Sequence, residues 1–316
     1  MPKDLHELPK LRDGLSYLFV QHCRIEQEAQ AIALWDKEGV AVVPAAALGV
    51  LMLGPGTAIT HAAVKALVEN GCSITWVGDE GVRCYAQGMG ETRKAYSLLK
   101  QAELFGRPEK RMEVIWRMYE KRFGYRLDHT LSPEQVRGME GARMRDVYAE
   151  MSEAYGVPWS GRSYATTNWA ASDPINRAIS AANACLNGIC HAAIVSGGYS
   201  PAIGFVHVGR QLSFVYDIAD LYKTEITIPL AFQVTAESEY GVETRARYAC
   251  RDAFREHRLL QRLLPDIEEL LDVPTSISEF KGDPDGPASP TGELWTQLWP
   301  QAHVQEESES GNELQE

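Results

Sequence analysis

The chain has 316 residues, 45% hydrophobic and 23% charged, with a formal net charge of −12. That is the profile of a soluble globular protein with length enough for two domains and a substantial core. The acidic total does not exclude a nucleic-acid partner. Thirteen acidic residues and one basic residue, Lys281, lie between Leu263 and Glu316, so that segment carries the whole excess and the residues before it balance.

The segment MPKDLHELPK is polar, and no uninterrupted apolar stretch approaches the ~18 residues of a membrane span. A cytoplasmic location is the expectation. Six cysteines (Cys23, Cys72, Cys84, Cys185, Cys190 and Cys250) are scattered without a C-x-x-C pair. This argues against a disulfide framework or a zinc site and for buried, reduced thiols.

Up to residue 88 the pattern is mainly strand. LSYLFVQHCRIE, AIALWD, VAVVPA, SITWVG and VRCYAQ are β-branched or aromatic runs separated by turns such as DKEG and GDEG. One helical piece, THAAVKALVEN followed by Gly71, interrupts them. From about Glu91 the period changes to 3.6, and ETRKAYSLLKQAELF, EKRMEVIWRMYEKRF, PEQVRGMEGARMRDVYAEMSEAY and DPINRAISAANACLNGICHAAIV all read as helices. The expected fold class is α+β: a small N-terminal β-rich domain over 1–88, then a larger all-helical catalytic domain over 89–272. Residues 273–316, rich in Pro, Gly, Ser and Glu, read as a disordered acidic tail. Its island LWTQLW is either compositional noise or a docking segment for a partner protein.

Candidate chemistry starts in the helix around Glu140. Ser132 suits the N-cap, Pro133 the first helical position, Gln135 completes an S-x-x-Q capping box and Gly156 ends the segment. At ~100° per residue, Val136, Met144, Val147 and Met151 lie within about 40° of Glu140, which places its carboxylate on the inward face. Glu140 then either forms a structural ion pair with Arg137 or Arg143, or serves a site. In FVHVGRQLSFVYDIADLYK, His207 sits in a β-like run, FVHVG. A helical SFVYDIADLYK would put Asp217 and Asp220 on one face with Tyr216 and Lys223, and Phe214, Ile218 and Leu221 on the other. That polar face is either solvated or functional. An inward Glu, a His and an Asp pair are together the ingredients of an O/N/O site for Mg²⁺ or Mn²⁺, the usual companions of phosphate chemistry.

In RARYACRDAFREHRLLQR, Arg247, Arg251, Arg255, Arg258 and Arg262 recur at i+3 and i+4 and form one helical stripe. It is either a solvated face, one that folds back on the acidic tail, or a phosphate-backbone contact. No phosphate loop, G-x-G-x-x-G after a strand, G-x-S-x-G elbow or H-E-x-x-H occurs.

LRDGLSYLFVQHCRIE, LGPGTAITHAAVKAL, WVGDEGVRCYAQG, QVRGMEGARMRDVYA and especially SPAIGFVHVGRQLSFVYDIADLYK resemble the CRISPR-associated integrase. That is the catalytic subunit of spacer acquisition, here nearest to the branch found beside Cascade-type effectors. The resemblance runs from about Arg12 to about Asp272. It implies the same two-domain layout, a homodimer, and a hetero-complex in which two such dimers flank a dimer of a small ferredoxin-like subunit. It also implies insertion of short foreign duplexes into a CRISPR array, through attack of a DNA 3′-hydroxyl on a phosphodiester at the repeat boundary. The family's metal ligands fall on Glu140, His207 and Asp220, and Asp217 is a further acidic position expected to orient Lys223 or a metal-bound water.

By the same resemblance Arg83, Arg210, Lys223, Arg247, Arg251, Lys65, Tyr164 and Trp169 are candidates for DNA contact; Arg83 reads equally well as an ion-pair partner of Asp79 or Glu80, and Tyr164 and Trp169 as packed between helices. His22 and Asn187 stand where close relatives are expected to carry aromatic residues, and Ala58 where a basic one is expected. A stand-alone nuclease for branched DNA and a non-catalytic DNA-capturing scaffold are the alternatives.

Overall fold

In the first part of the chain, short aliphatic runs and turn formers alternate, and the backbone follows them into two four-stranded sheets. The computed structural model describes residues 17–78, 84–88, 95–162 and 173–272. One sheet runs β1 (Tyr17–Val20), β5 (Val50–Leu53), β7 (Ser73–Val77), β8 (Cys84–Gly88), with the first three strands parallel and β8 antiparallel at the edge. The other runs β4 (Val40–Pro44), β3 (Ala31–Trp35), β2 (Arg24–Glu28), β6 (Ala58–Ile59).

The single run LSYLFVQHCRIE is cut in two by His22, whose φ of 51° turns the chain from one sheet to the other. The DKEG turn closes as its residue types require: Asp36 Oδ1 accepts from the N–H groups of Glu38 (2.7 Å) and Gly39 (3.1 Å). β5, VLML, is an addition to the expected strands. It is buried along its whole length and so lacks the alternation that marks a half-buried strand. Helix α1 (His61–Glu69), capped by Thr60 Oγ1, buries Ala63 and Leu67 against Ile25, Ile32, Leu51 and Ile74.

Helices then take over: α2 (Tyr96–Gly106), α3 (Pro108–Phe123), α4 (Pro133–Tyr155) and α5 (Pro174–Ser196). The architecture is thus a strand-rich N-terminal part followed by a larger helical part, as expected. The axis of the helical part is α5, whose Ala178, Ile179, Ala182, Cys185, Leu186 and Ile189 lie in the main core. By length and composition α5 is the one described helix able to cross a membrane, yet 72% of its apolar window is buried inside the fold. Small residues let its neighbours approach closely: Cys250 of α8 (Val242–Glu256) points its thiol at the Ala182 carbonyl. Ala192, near the far end of α5, joins Val50, Met52 and Val77 and so connects helices to sheet.

Three expectations need correction. FVHVG is not a strand; residues 203–210 form a loop. SFVYDIADLYK is not one helix either: α6 (Ser213–Ala219) ends at Asp220, and a π-helical turn, Lys223–Thr227, leads into α7 (Ile228–Glu237). The arginine stripe is interrupted because Arg258 adopts φ 47°, which separates α8 from α9 (Leu259–Leu271). Arg262 consequently leaves the row and forms a bidentate pair with Glu225 of the π-turn, at 2.7 and 2.8 Å.

Candidate active site

The local structure of α4 is the one its residues dictate. Ser132 and Gln135 make the reciprocal capping box, Pro133 opens the helix and Gly156 ends it at φ 63°. Val136 and Glu140 are its two buried positions. A buried carboxylate demands partners, and Glu140 has two. Arg143 on the same helix donates from Nε to Oε2 at 3.0 Å and from Nη2 to Oε1 at 3.2 Å. Arg122, from the last turn of α3, donates through Nη2 to Oε1. Of the two arginines proposed for a structural pair, Arg143 is engaged with Glu140; the cation from α3 was not foreseen.

Asp220 ends α6 and faces the same guanidinium: Arg122 Nη2 lies 3.5 Å from its Oδ2, and Lys223 Nζ lies 2.5 Å from its Oδ1. Burial alone pushes the Asp220 carboxyl upward, but the charges of Lys223 and Arg122 outweigh it and hold the group below the usual aspartate range. Glu140 and Asp220, from separate helices, therefore converge on a single nitrogen.

Asp217 occupies no solvated face. Its side chain is 0% exposed, and it holds the preceding loop. Oδ2 accepts from the backbone N–H groups of Phe205 (2.5 Å) and Val206 (3.1 Å), while Oδ1 accepts from that of His207 (2.8 Å). Oδ1 also lies 2.7 Å from His207 Nδ1. With Nδ1 engaged, Nε2 is the imidazole nitrogen left for chemistry.

The loop is braced from three further sides. Gln101 of α2 donates to the carbonyls of Ser200 (3.0 Å) and Ile203 (2.8 Å). Arg111 of α3 donates to Phe205 O at 2.7 Å, and the Phe205 ring packs edge-on to Phe214 at 6.0 Å. Gly204 admits the tight approach: a Cβ there would stand 2.3 Å from His207 O. Asp217 thus orients His207, while Lys223, one of the two partners expected for it, is taken by Asp220.

The family model for CRISPR associated protein Cas1 matches residues 16–124 and 120–244. CRISPR-associated endonuclease Cas1 2 of Thermus thermophilus is 52% identical over 296 residues, covering 93% of this chain and 90% of its own. The chain belongs to the Cas1 family. CRISPR-associated endonuclease Cas1 of Escherichia coli K12 is 42% identical over 268 residues, 84% of this chain and 88% of its own. Among solved structures, the TtCas1–DNA complex is 53% identical, with a TM-score of 0.76 over 84% of this chain and 100% of that one. A casposase bound to integration product, at 13% identity and TM-score 0.55, shares the fold.

In this Cas1-family chain the donors proposed for a divalent cation stand as follows. Glu140 and Asp220 share Arg122, while His207 is held at Asp217. Among the described residues no three His, Cys, Asp or Glu side chains are set to enclose one ion, and Arg122 Nη2 takes the place between the two carboxylates. The donor chemistry nevertheless suits a hard divalent cation: a buried and a partly buried carboxylate that already hold a cation between them, with an imidazole oriented by a carboxylate behind it.

The DNA-contact candidates are less concentrated. Arg210 lies exposed just beyond His207, with its backbone tied to Ser213 Oγ. Arg247 and Arg251 are on α8; Arg251 bonds Asp252 at 2.9 Å and lies over the Tyr248 ring. Lys65 stands on α1 in an exposed pair with Glu69. Arg83, Tyr164, Trp169 and the tail with LWTQLW lie outside the described residues.

Proposed function

We propose that this chain is a metal-dependent DNA endonuclease and integrase that inserts short duplexes into a CRISPR array. The convergence of Glu140 and Asp220 on one guanidinium nitrogen, beside an imidazole clamped through Nδ1, carries the reading. Two carboxylates held that close repel each other strongly unless a cation lies between them, an arrangement suited to binding metal and phosphate rather than to packing. The kinship with CRISPR-associated endonucleases and the DNA in the TtCas1 complex support a nucleic-acid substrate.

Mg²⁺ or Mn²⁺ bound there would polarise the scissile phosphodiester and neutralise the charge that develops on it. Glu140 and Asp220 would provide the hard oxygen donors and His207 Nε2 the nitrogen. Asp217 fixes the ring and its loop. Lys223 and Arg210, on either side of α6, meet the phosphates that flank the reacting one, and Arg247, Arg251 and Lys65 guide the duplex further out, with Arg83, Tyr164 and Trp169 completing the contacts. The nucleophile is a 3′-hydroxyl of the incoming DNA; water in its place gives cleavage. The helical domain 89–272 carries the chemistry and domain 1–88 supports it. The working unit is a homodimer joined to a small ferredoxin-like subunit in the cytoplasm.

Joining of a short duplex to repeat DNA with Mn²⁺, with and without the small subunit, tests this. Glu140→Ala is expected to abolish joining, and joining at the wild-type rate by that variant overturns the assignment. Cleavage without joining by the wild-type chain points to a stand-alone nuclease. No product in any metal points to a scaffold.

A further inference from the structure

Three cations crowd the two carboxylates, and they are not equivalent. Arg143 touches Glu140 alone and Lys223 touches Asp220 alone. Arg122 spans both, through the same Nη2. Its side chain is 10% exposed, and its Nε is buried without a hydrogen-bond partner among the described residues. The guanidinium lies over the Tyr119 ring, 5.4 Å from the centroid. A buried guanidinium normally spends all its donors. Apart from a ring face on which it can pivot, this one is held by the two carboxylates.

From this we propose that Arg122 is a built-in cation which competes with divalent metal for Glu140 and Asp220 and yields when a DNA phosphate receives its guanidinium. The inference rests on the metal-dependent reading above and adds how that site is regulated. Two unit negative charges facing three unit positive charges leave no electrostatic demand for a further dication. A cation bridging both carboxylates has to displace Arg122 Nη2 from Glu140 Oε1 and Asp220 Oδ2, whereas Arg143 Nε can remain on Glu140 Oε2 and Lys223 Nζ on Asp220 Oδ1. A phosphodiester offers the displaced guanidinium a planar pair of acceptor oxygens, a geometry suited to arginine. Metal and DNA therefore bind cooperatively, each lowering the cost of the other's entry, and the site stays inactive toward metal until substrate is present.

Free Mn²⁺ followed by electron paramagnetic resonance, on the full chain with and without a short DNA duplex, reads this directly. The wild type is expected to bind Mn²⁺ at least about tenfold more tightly with DNA than without, a coupling of ~1.4 kcal/mol. Arg122→Met is expected to bind it tightly without DNA and to gain little from DNA, while Arg143→Met keeps the coupling. Should Arg122→Met fail to fold, Arg122→Lys, which keeps the charge but loses the fork, is expected to show a partial shift in the same direction. Equal Mn²⁺ affinity for wild type and the Arg122 variant, with the same response to DNA, overturns the inference while leaving the metal site standing. Absence of Mn²⁺ binding by the wild type even with DNA overturns the metal site itself, and the inference with it.

Discussion

Asp217 Oδ1 stands 2.7 Å from His207 Nδ1 and 2.8 Å from the His207 backbone nitrogen, so one carboxylate oxygen fixes both the ring and the main chain of the same residue. Its second oxygen takes two more backbone N–H groups. Asp217→Ala leaves these donors without their acceptor, at ~1–3 kcal/mol for each that stays buried. The expected outcome is a loss of at least about 3 kcal/mol in urea denaturation and loss of DNA strand transfer. A variant as stable as wild type would mean that the loop does not depend on this clamp.

Glu140 neutralises two arginines, of which Arg122 is the more buried. Removing one partner of a buried pair typically costs ~3–5 kcal/mol because the other charge is left uncompensated. Glu140→Ala is therefore expected to destabilise the fold as well as stop catalysis. Adding Arg122→Met to it is expected to restore part of the stability but none of the activity. Calorimetry together with a strand-transfer assay separates the two effects, and failure of the double variant to recover any stability contradicts the pairing.

Gly204→Ala puts a Cβ 2.3 Å from His207 O and 2.7 Å from the Ser213 backbone carbon, neither of which can rotate away. The turn must open, and His207 moves with it. A fall in melting temperature with at least about tenfold slower strand transfer is expected, since small misplacements of reacting groups cost about that much or more. An unaltered rate would show that the turn tolerates the methyl.

Glu225 tests the link between the π-turn and α9. The hydrogen bond from Arg262 lowers its carboxyl pKa, outweighing partial burial, with further help from the charges of Arg262 and His257. A carboxylate lowered in the folded state contributes stability above its unfolded value, near the usual glutamate range, and loses it as pH falls through the folded value. With both side chains more than a third exposed, the contribution is below ~1 kcal/mol. Arg262→Gln is expected to lower the melting temperature slightly at pH 7, with the difference from wild type shrinking toward pH 3. A difference that grows as pH falls contradicts this sign.

What the residues determine locally was open to reading along the chain. The capping box of α4, the inward side of Glu140 and the apolar run of α5 depend on neighbours within a few positions, as does the change from strand to helix period near Glu91. Resemblance added which acids and which histidine to join. Periodicity was a poorer guide at β5, where burial on both faces removes alternation. It was a poorer guide at FVHVG too, where Phe205 and Val206 anchor a loop and do not pair a strand, while Val208 is exposed.

Only the tertiary structure decided which cation lies between Glu140 and Asp220, that Asp217 holds a loop, that Lys223 belongs to Asp220 and that Arg262 leaves the arginine row. The exposed Arg262–Glu225 pair follows from the break in the row at Arg258, and the other three share one physical reason. A charge taken out of water must find a partner, and which partner it finds depends on which helices pack side by side, a relation that spacing within any one helix does not contain.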